Sequence, residues 1–249
     1  SVVWRRRSVR RDSAYSDLKI VYVRERSTNW SRKRLRTVVD RKIEASFFSK
    51  IDSRRTALSR LAPKRLPGVY DGAAKGGEAA LATMARFSIP PAYGRILYAL
   101  VEEIKPRLVV EAGAGYGISG MYIGCALSDD PDASFITFEP GEYAAIAEDS
   151  VSQVIDNAFV IRDRFERFYQ YLDADAEIGF AFFDAVHAYG ALRRDTKLIK
   201  GWLSPGAMIV LDDVNYSEET RAAWSKIATD RDVDFSALIN KRLGVIVYA

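Results

Sequence analysis

The chain has 249 residues, 48% apolar and 28% charged, the proportions of an ordinary globular protein long enough for one generous core. No apolar run approaches the roughly 20 residues that span a bilayer. Residues 1–20 also lack the apolar block of about 7–15 residues that a secretory signal carries. The single cysteine, Cys125, excludes an internal disulfide and most thiolate metal sites, and fits a reducing, cytoplasmic compartment.

The net charge of +4 conceals a division. Residues 1–65 hold 20 Lys and Arg against 6 Asp and Glu, while the remainder holds 17 against 27. Two electrostatically different pieces share one chain. The first, with WRRRSVRR and SRKRLR, reads as a basic, partly helical N-terminal extension. Its helical pattern falls over 32–61, where Leu35, Val38, Val39, Ile43, Phe47 and Phe48 recur at spacings of three to four. Residues 66–89 read as a linker or lid, because PKRLPGVYDGAAKGG is rich in glycine and proline.

Residues 90–249 carry a regular pattern. Ile96, Leu97, Leu100, Val101 and Ile104 mark one helical face between Pro91 and Pro106. Short apolar runs at 108–112, 134–139, 158–161, 179–184 and 207–211 read as buried strands. Helical stretches near 117–127, 142–156, 163–172, 188–202 and 218–229 separate or follow them. Strands alternating with helices imply an α/β fold with a doubly wound, mostly parallel sheet. The tail breaks that rhythm. VDFSALI and RLGVIVYA are separated by a few polar residues and predict a C-terminal antiparallel hairpin, making seven strands.

Ligands of such sheets bind beyond the carboxyl ends of the strands. VVEAGAGYG puts Gly113, Gly115 and Gly117 directly after the first of these strands, with Glu111 just ahead. The spacing is G-x-G-x-G and not the G-x-G-x-x-G of dinucleotide sites. A carboxylate beside the turn disfavours a pyrophosphate and suits an ammonium or a sulfonium. Glu139, closing FITFEP, offers two acceptor oxygens to the hydroxyls of a ribose. Asp163, after the next strand, can accept from an adenine amino group. An amino-acid end, a ribose and a base in that order describe S-adenosylmethionine.

On these residues, with FFDAVHAYGALRRD and LSPGAMIVLDDV, the sequence resembles the class I S-adenosylmethionine-dependent methyltransferases over about 90–249. The resemblance implies a Rossmann-like methyltransferase fold with a reversed last strand. It implies that Glu111, Gly113 and Gly115 line the methionine end, beside Gly117, and that Glu139 holds the ribose and Asp163 the adenine.

A second constellation lies at the ends of the fourth and fifth strands. Asp184 is followed three residues on by His187, the only histidine, and Asp212 and Asp213 close VLDD. Three carboxylates converging in a cleft repel one another. A divalent cation removes that conflict, and oxygen ligands favour magnesium, calcium or manganese. The pattern is similar to that of metal-dependent O-methyltransferases of the catechol, caffeoyl-coenzyme A and macrolide-sugar types. That resemblance implies a metal, Mg2+ or another hard cation, on Asp184, Asp212 and Asp213, with Asp184 also beside the cofactor and His187 as general base. It implies methyl transfer to a hydroxyl of a small molecule, a sugar or a phenol.

Two alternatives stand beside this expectation. The basic extension could serve an RNA or other nucleic-acid methyltransferase, although DAVH stands where amino-directed enzymes carry a N/D-P-P-aromatic motif. The fold could also persist as a non-catalytic S-adenosylmethionine-binding protein. The N-terminal helices could cover the substrate or build a homodimer.

Overall fold

The structure, a computed structural model, describes residues 18–26, 29–62, 64–65, 81–83, 88–185 and 188–249. All seven expected strands form. They are β4 (Leu108–Ala112), β5 (Ser134–Phe138), β6 (Ala158–Ile161), β7 (Ile178–Phe183), β8 (Leu203–Leu211), β9 (Val233–Ile239) and β10 (Leu243–Tyr248). An eighth, β1 (Ile20–Glu25), joins them from within the basic extension, giving the order β1-β9-β10-β8-β7-β4-β5-β6. Pairing is parallel from β6 through β8 and antiparallel across β8, β10, β9 and β1. Two further short strands, β2 (Lys64–Arg65) and β3 (Leu81–Ala82), pair with each other outside this sheet.

The period of two along each strand divides the core into two layers. Val109, Phe180 and Phe182 face one layer, while Val110, Ala181 and Phe183 face the other. The first layer is covered by α3 (Pro91–Ile104), α4 (Ile118–Leu127) and α5 (Ala144–Val151). The second is covered by α6 (Tyr189–Ile199) and α7 (Glu218–Ala228). The expected helix at 163–172 is a short 3-10 turn, Phe165–Gln170. Residues three apart eclipse in that geometry, and Phe165 stacks on Phe168 with ring centroids 5.0 Å apart.

The described part of the extension, from Leu18, is built into this core. Its helices α1 (Arg32–Val39) and α2 (Ser49–Ser59) bury Leu35, Val38, Val39, Ile51 and Leu58 against the first layer, as does Phe48 between them. Phe47 stays half exposed. Much of the segment's positive charge is turned inward to the fold. Arg34 and Arg41 pair with Glu103, Arg41 also with Glu102, and Arg54 with Asp149. The Arg24 guanidinium donates to the carbonyls of Thr229, Asp230 and Val233. The first two follow the last turn of α7, the negative end of its dipole. The runs of arginine in residues 1–17 and most of the expected linker lie outside the described residues.

Candidate active site

The parallel strands place their last residues side by side by extending the ladder one step. Gly113 N–H donates to Phe138 O at 2.9 Å, Asp184 N–H to Ala112 O at 2.9 Å, and Asp212 N–H to Phe183 O at 2.9 Å. The glycine turn, Glu139, Asp184 and Asp212 therefore share one rim of the sheet. A separate cleft of about 700 Å³ opens at the other, amino ends of the strands, lined by Lys105, Arg107, Ser134, Gly179 and Pro205. In an open α/β sheet the carboxyl rim is the one that takes ligands.

The turn needs its glycines for two different reasons. Gly113 has φ +95°, and a Cβ there would lie 2.3 Å from the Asp184 carbonyl oxygen. Gly117 has φ +77° and opens α4, where a Cβ would meet the Ala147 backbone at 2.8 Å. Bareness at these positions lets β4 approach β7 and α4 approach α5.

Glu111 lies beneath the turn with no solvent exposure. Its Oε2 accepts from the Thr137 hydroxyl at 2.6 Å, and its buried Oε1 has no well-aligned hydrogen bond among the described residues. Burial pushes its carboxyl up to about 7, against the pull of the Ser119 and Thr137 hydroxyls. A buried acceptor with one oxygen unmatched suits a cationic ligand group. Glu139 is also buried, and its carboxylate accepts from Gly115 N–H at 2.9 Å and Gly141 N–H at 3.0 Å. It thus stands across the turn, tied to the second glycine.

Asp163 keeps more local company. Arg164 N–H donates to its Oδ1 at 2.7 Å and Tyr171 Oη–H to its Oδ2 at 2.9 Å. These two bonds, with Arg167 nearby, hold its carboxyl below the usual range. These contacts tie Asp163 to the start and the end of the 3-10 turn. Val186 and His187 lie outside the described residues.

The three aspartates do converge: one oxygen from each of Asp184, Asp212 and Asp213 lies within 4.8 Å of the others. A fourth residue, absent from the sequence reading, stands among them. Arg242 Nε donates to Asp212 Oδ1 and Nη2 to Asp212 Oδ2, both at 2.7 Å. Its Nε lies 3.4 Å from Asp213 Oδ1. Burial disfavours the charged guanidinium, but Asp212, Asp213 and Asp184 outweigh that and hold it protonated.

A family model described as a methyltransferase domain matches residues 110–214, from inside β4 to just past the Asp212–Asp213 pair. No curated protein matches the chain. Among solved structures, a methyltransferase from Podospora anserina bound to S-adenosylhomocysteine (SAH) aligns with TM-score 0.62 at 16% identity, over 89% of this chain and 98% of that one. An O-methyltransferase from Bacillus cereus in complex with SAH aligns with TM-score 0.57 at 17% identity, over 82% and 92%. The O-methyltransferase TomG from Streptomyces achromogenes, in complex with S-adenosylmethionine, aligns with TM-score 0.53 at 18% identity, over 84% and 100%. At these identities the likeness is one of fold.

The sequence reading also missed how the glycine turn is braced from outside. Arg54 of α2 donates through Nε to Ser150 Oγ at 2.9 Å, and the Ser150 hydroxyl meets the Tyr116 carbonyl at 2.7 Å. Tyr116 belongs to the glycine turn, so the extension reaches the turn through one serine. The i+3 and i+4 spacing of Asp149 and Ser150 from Ile146 marks one face of α5, but nothing in it points to a residue almost a hundred positions earlier.

Proposed function

We propose that the chain transfers the methyl group of S-adenosylmethionine to a hydroxyl oxygen of a small molecule of sugar or phenol type. The observation that carries this reading is the pair Glu111 and Glu139 around a bare turn, at the carboxyl rim of a methyltransferase domain. The cofactor, when bound, supplies an activated methyl group for in-line displacement, with its own thioether as the leaving group.

The chain's residues then have distinct tasks. Glu139 offers its carboxylate to the ribose hydroxyls, and the unmatched Oε1 of Glu111 makes the floor beneath the turn attractive to the ammonium end. Asp184 bounds the pocket between the turn and the acceptor. His187, three residues beyond Asp184, takes the proton that the acceptor hydroxyl loses, a role worth about 10²–10⁴ in rate. Alignment of the reacting groups adds about 7–11 kcal/mol. No step runs through a divalent ion, because Arg242 already holds both oxygens of Asp212.

A small acceptor is favoured over nucleic acid because Arg24, Arg34, Arg36, Arg41, Arg54 and Arg55 all bond to acceptors within the fold. Spent in this way, they are poorly placed to track a phosphate backbone. The test is methyl transfer from radiolabelled S-adenosylmethionine to a panel of phenols, sugars and RNA. Label on a phenol or sugar hydroxyl supports the proposal. Label on RNA alone, or none on any acceptor despite cofactor binding, refutes it in favour of the other two readings.

A further inference from the structure

Arg242 owes its position to the closing hairpin. Asn240 and Lys241 both have positive φ, 49° and 57°, and with Arg242 they make the three-residue connection between the paired Ile239 and Leu243. Arg242 N–H donates back to Ile239 O at 2.9 Å, and Arg242 O accepts from Val214 N–H at 3.1 Å. Two residues later Gly244 pairs with Leu211, the last residue of β8. The backbone thus delivers the guanidinium to the residues that follow β8, which are Asp212 and Asp213. Tyr93 supports its other side, with the ring centroid 5.1 Å from the guanidinium carbon.

This arrangement does not fit a divalent ion. Asp212 is fully buried, and its two oxygens face Nε and Nη2 in a parallel fork, the strongest geometry a guanidinium makes with a carboxylate. Asp213 N–H adds a third bond to Oδ1 at 2.8 Å. Magnesium demands ligand oxygens at about 2.0–2.1 Å in a near-octahedral shell. To reach Asp212 it would have to settle beside a fixed positive charge and strip away bonds already made. Three carboxylates still need a positive partner, and the chain supplies its own.

We propose that Arg242 is the internal cation of this site. It occupies the charge position among Asp184, Asp212 and Asp213 that a bound metal would fill, so the cluster takes no divalent ion while Arg242 is present and becomes able to take one when it is removed. The consequence for methyl transfer, that turnover needs no metal, rests on the proposed function, while the binding statement stands apart from it. Arg242 is a positioning residue, acting through Asp212 and Asp213.

The experiment is electron paramagnetic resonance of Mn2+ titrated with the intact 249-residue chain, the metal alone serving as the probe. The wild type should leave the free-ion signal undiminished. Arg242→Ala should deplete it, and adding Asp184→Asn in the same background should restore it. Arg242→Gln, which removes the charge and keeps a donor for Asp212, should also deplete the signal and serves if the alanine variant does not fold. Depletion by the wild type that Asp184→Asn abolishes overturns the proposal. So does a folded Arg242 variant that leaves the signal unchanged. Calorimetry with SAH on the same samples separates the two readings, since absence of cofactor heat speaks against the proposed function and leaves the Mn2+ result intact.

Discussion

Replacing Glu111 by Gln should flatten the protein's stability against pH while weakening its hold on the cofactor. The carboxyl titrates at 4.5 when exposed and is pushed up to about 7 by complete burial. The folded chain therefore keeps its proton over a range in which the unfolded chain has lost it. Because the folded state binds more protons between those values, stability falls as pH rises through the interval. The interval is about 2.5 pH units at about 1.4 kcal/mol each, so the loss is about 3 kcal/mol, absent below pH 4.5 and complete above pH 7. Gln keeps the acceptor for the Thr137 hydroxyl and cannot titrate. Urea unfolding at pH 4.5 and pH 8 is the assay. Between them the wild type should lose about 3 kcal/mol more than the variant, since Asp195 and the other titrating groups act alike in both. Parallel losses would show that Glu111 is not held protonated by burial and would refute the argument. The same carboxylate must ionise to meet an ammonium, so SAH binding at pH 6 should release a proton. Calorimetry in two buffers of different ionisation heat detects that release.

Three further outcomes follow. Gly113→Ala should cost at least about 1–3 kcal/mol, as expected for a side chain forced into a positive-φ position, with a thermal midpoint lowered and cofactor binding lost. An unchanged midpoint would contradict the contact with Asp184 O. Arg54→Ala removes a charged donor from Ser150, a bond worth about 1.5–3 kcal/mol, and should weaken SAH binding more than it lowers the thermal midpoint. Equal effects on both would make Arg54 a structural residue only. His187→Ala should lower turnover by about 10²–10⁴ with SAH affinity nearly intact, and a parallel loss of affinity would remove it from the role of base.

The residues that could be read in advance are those whose signal is local. Apolar runs such as LVVEA and IGFAFF declared β4 and β7, and the glycines at 113, 115 and 117 announced a turn that the fold bends through positive φ. Carboxylates at strand ends could be placed on one rim because parallel strands end together. What stayed hidden depends on distant partners. IVYVRE alternates correctly for a strand, but its charged setting masked it, and only pairing with β9 makes it β1. Arg242 looked like one more polar residue of a hairpin, because its partner Asp212 lies 30 positions earlier. The metal expectation weighed the three carboxylates alone, because Arg242, which the closing hairpin brings beside them, gives no local signal. Asp163 was legible by its acceptor chemistry alone, and its bonds to Arg164 N–H and the Tyr171 hydroxyl were not.

The central claim, that the bare turn between Glu111 and Glu139 is where the cofactor sits, is tested most directly by calorimetric titration with SAH. The account requires a single saturable binding event that Glu139→Ala weakens by roughly tenfold or more, the equivalent of about 1.4 kcal/mol or greater. A flat titration of the wild type, or equal affinity in the variant, would contradict it.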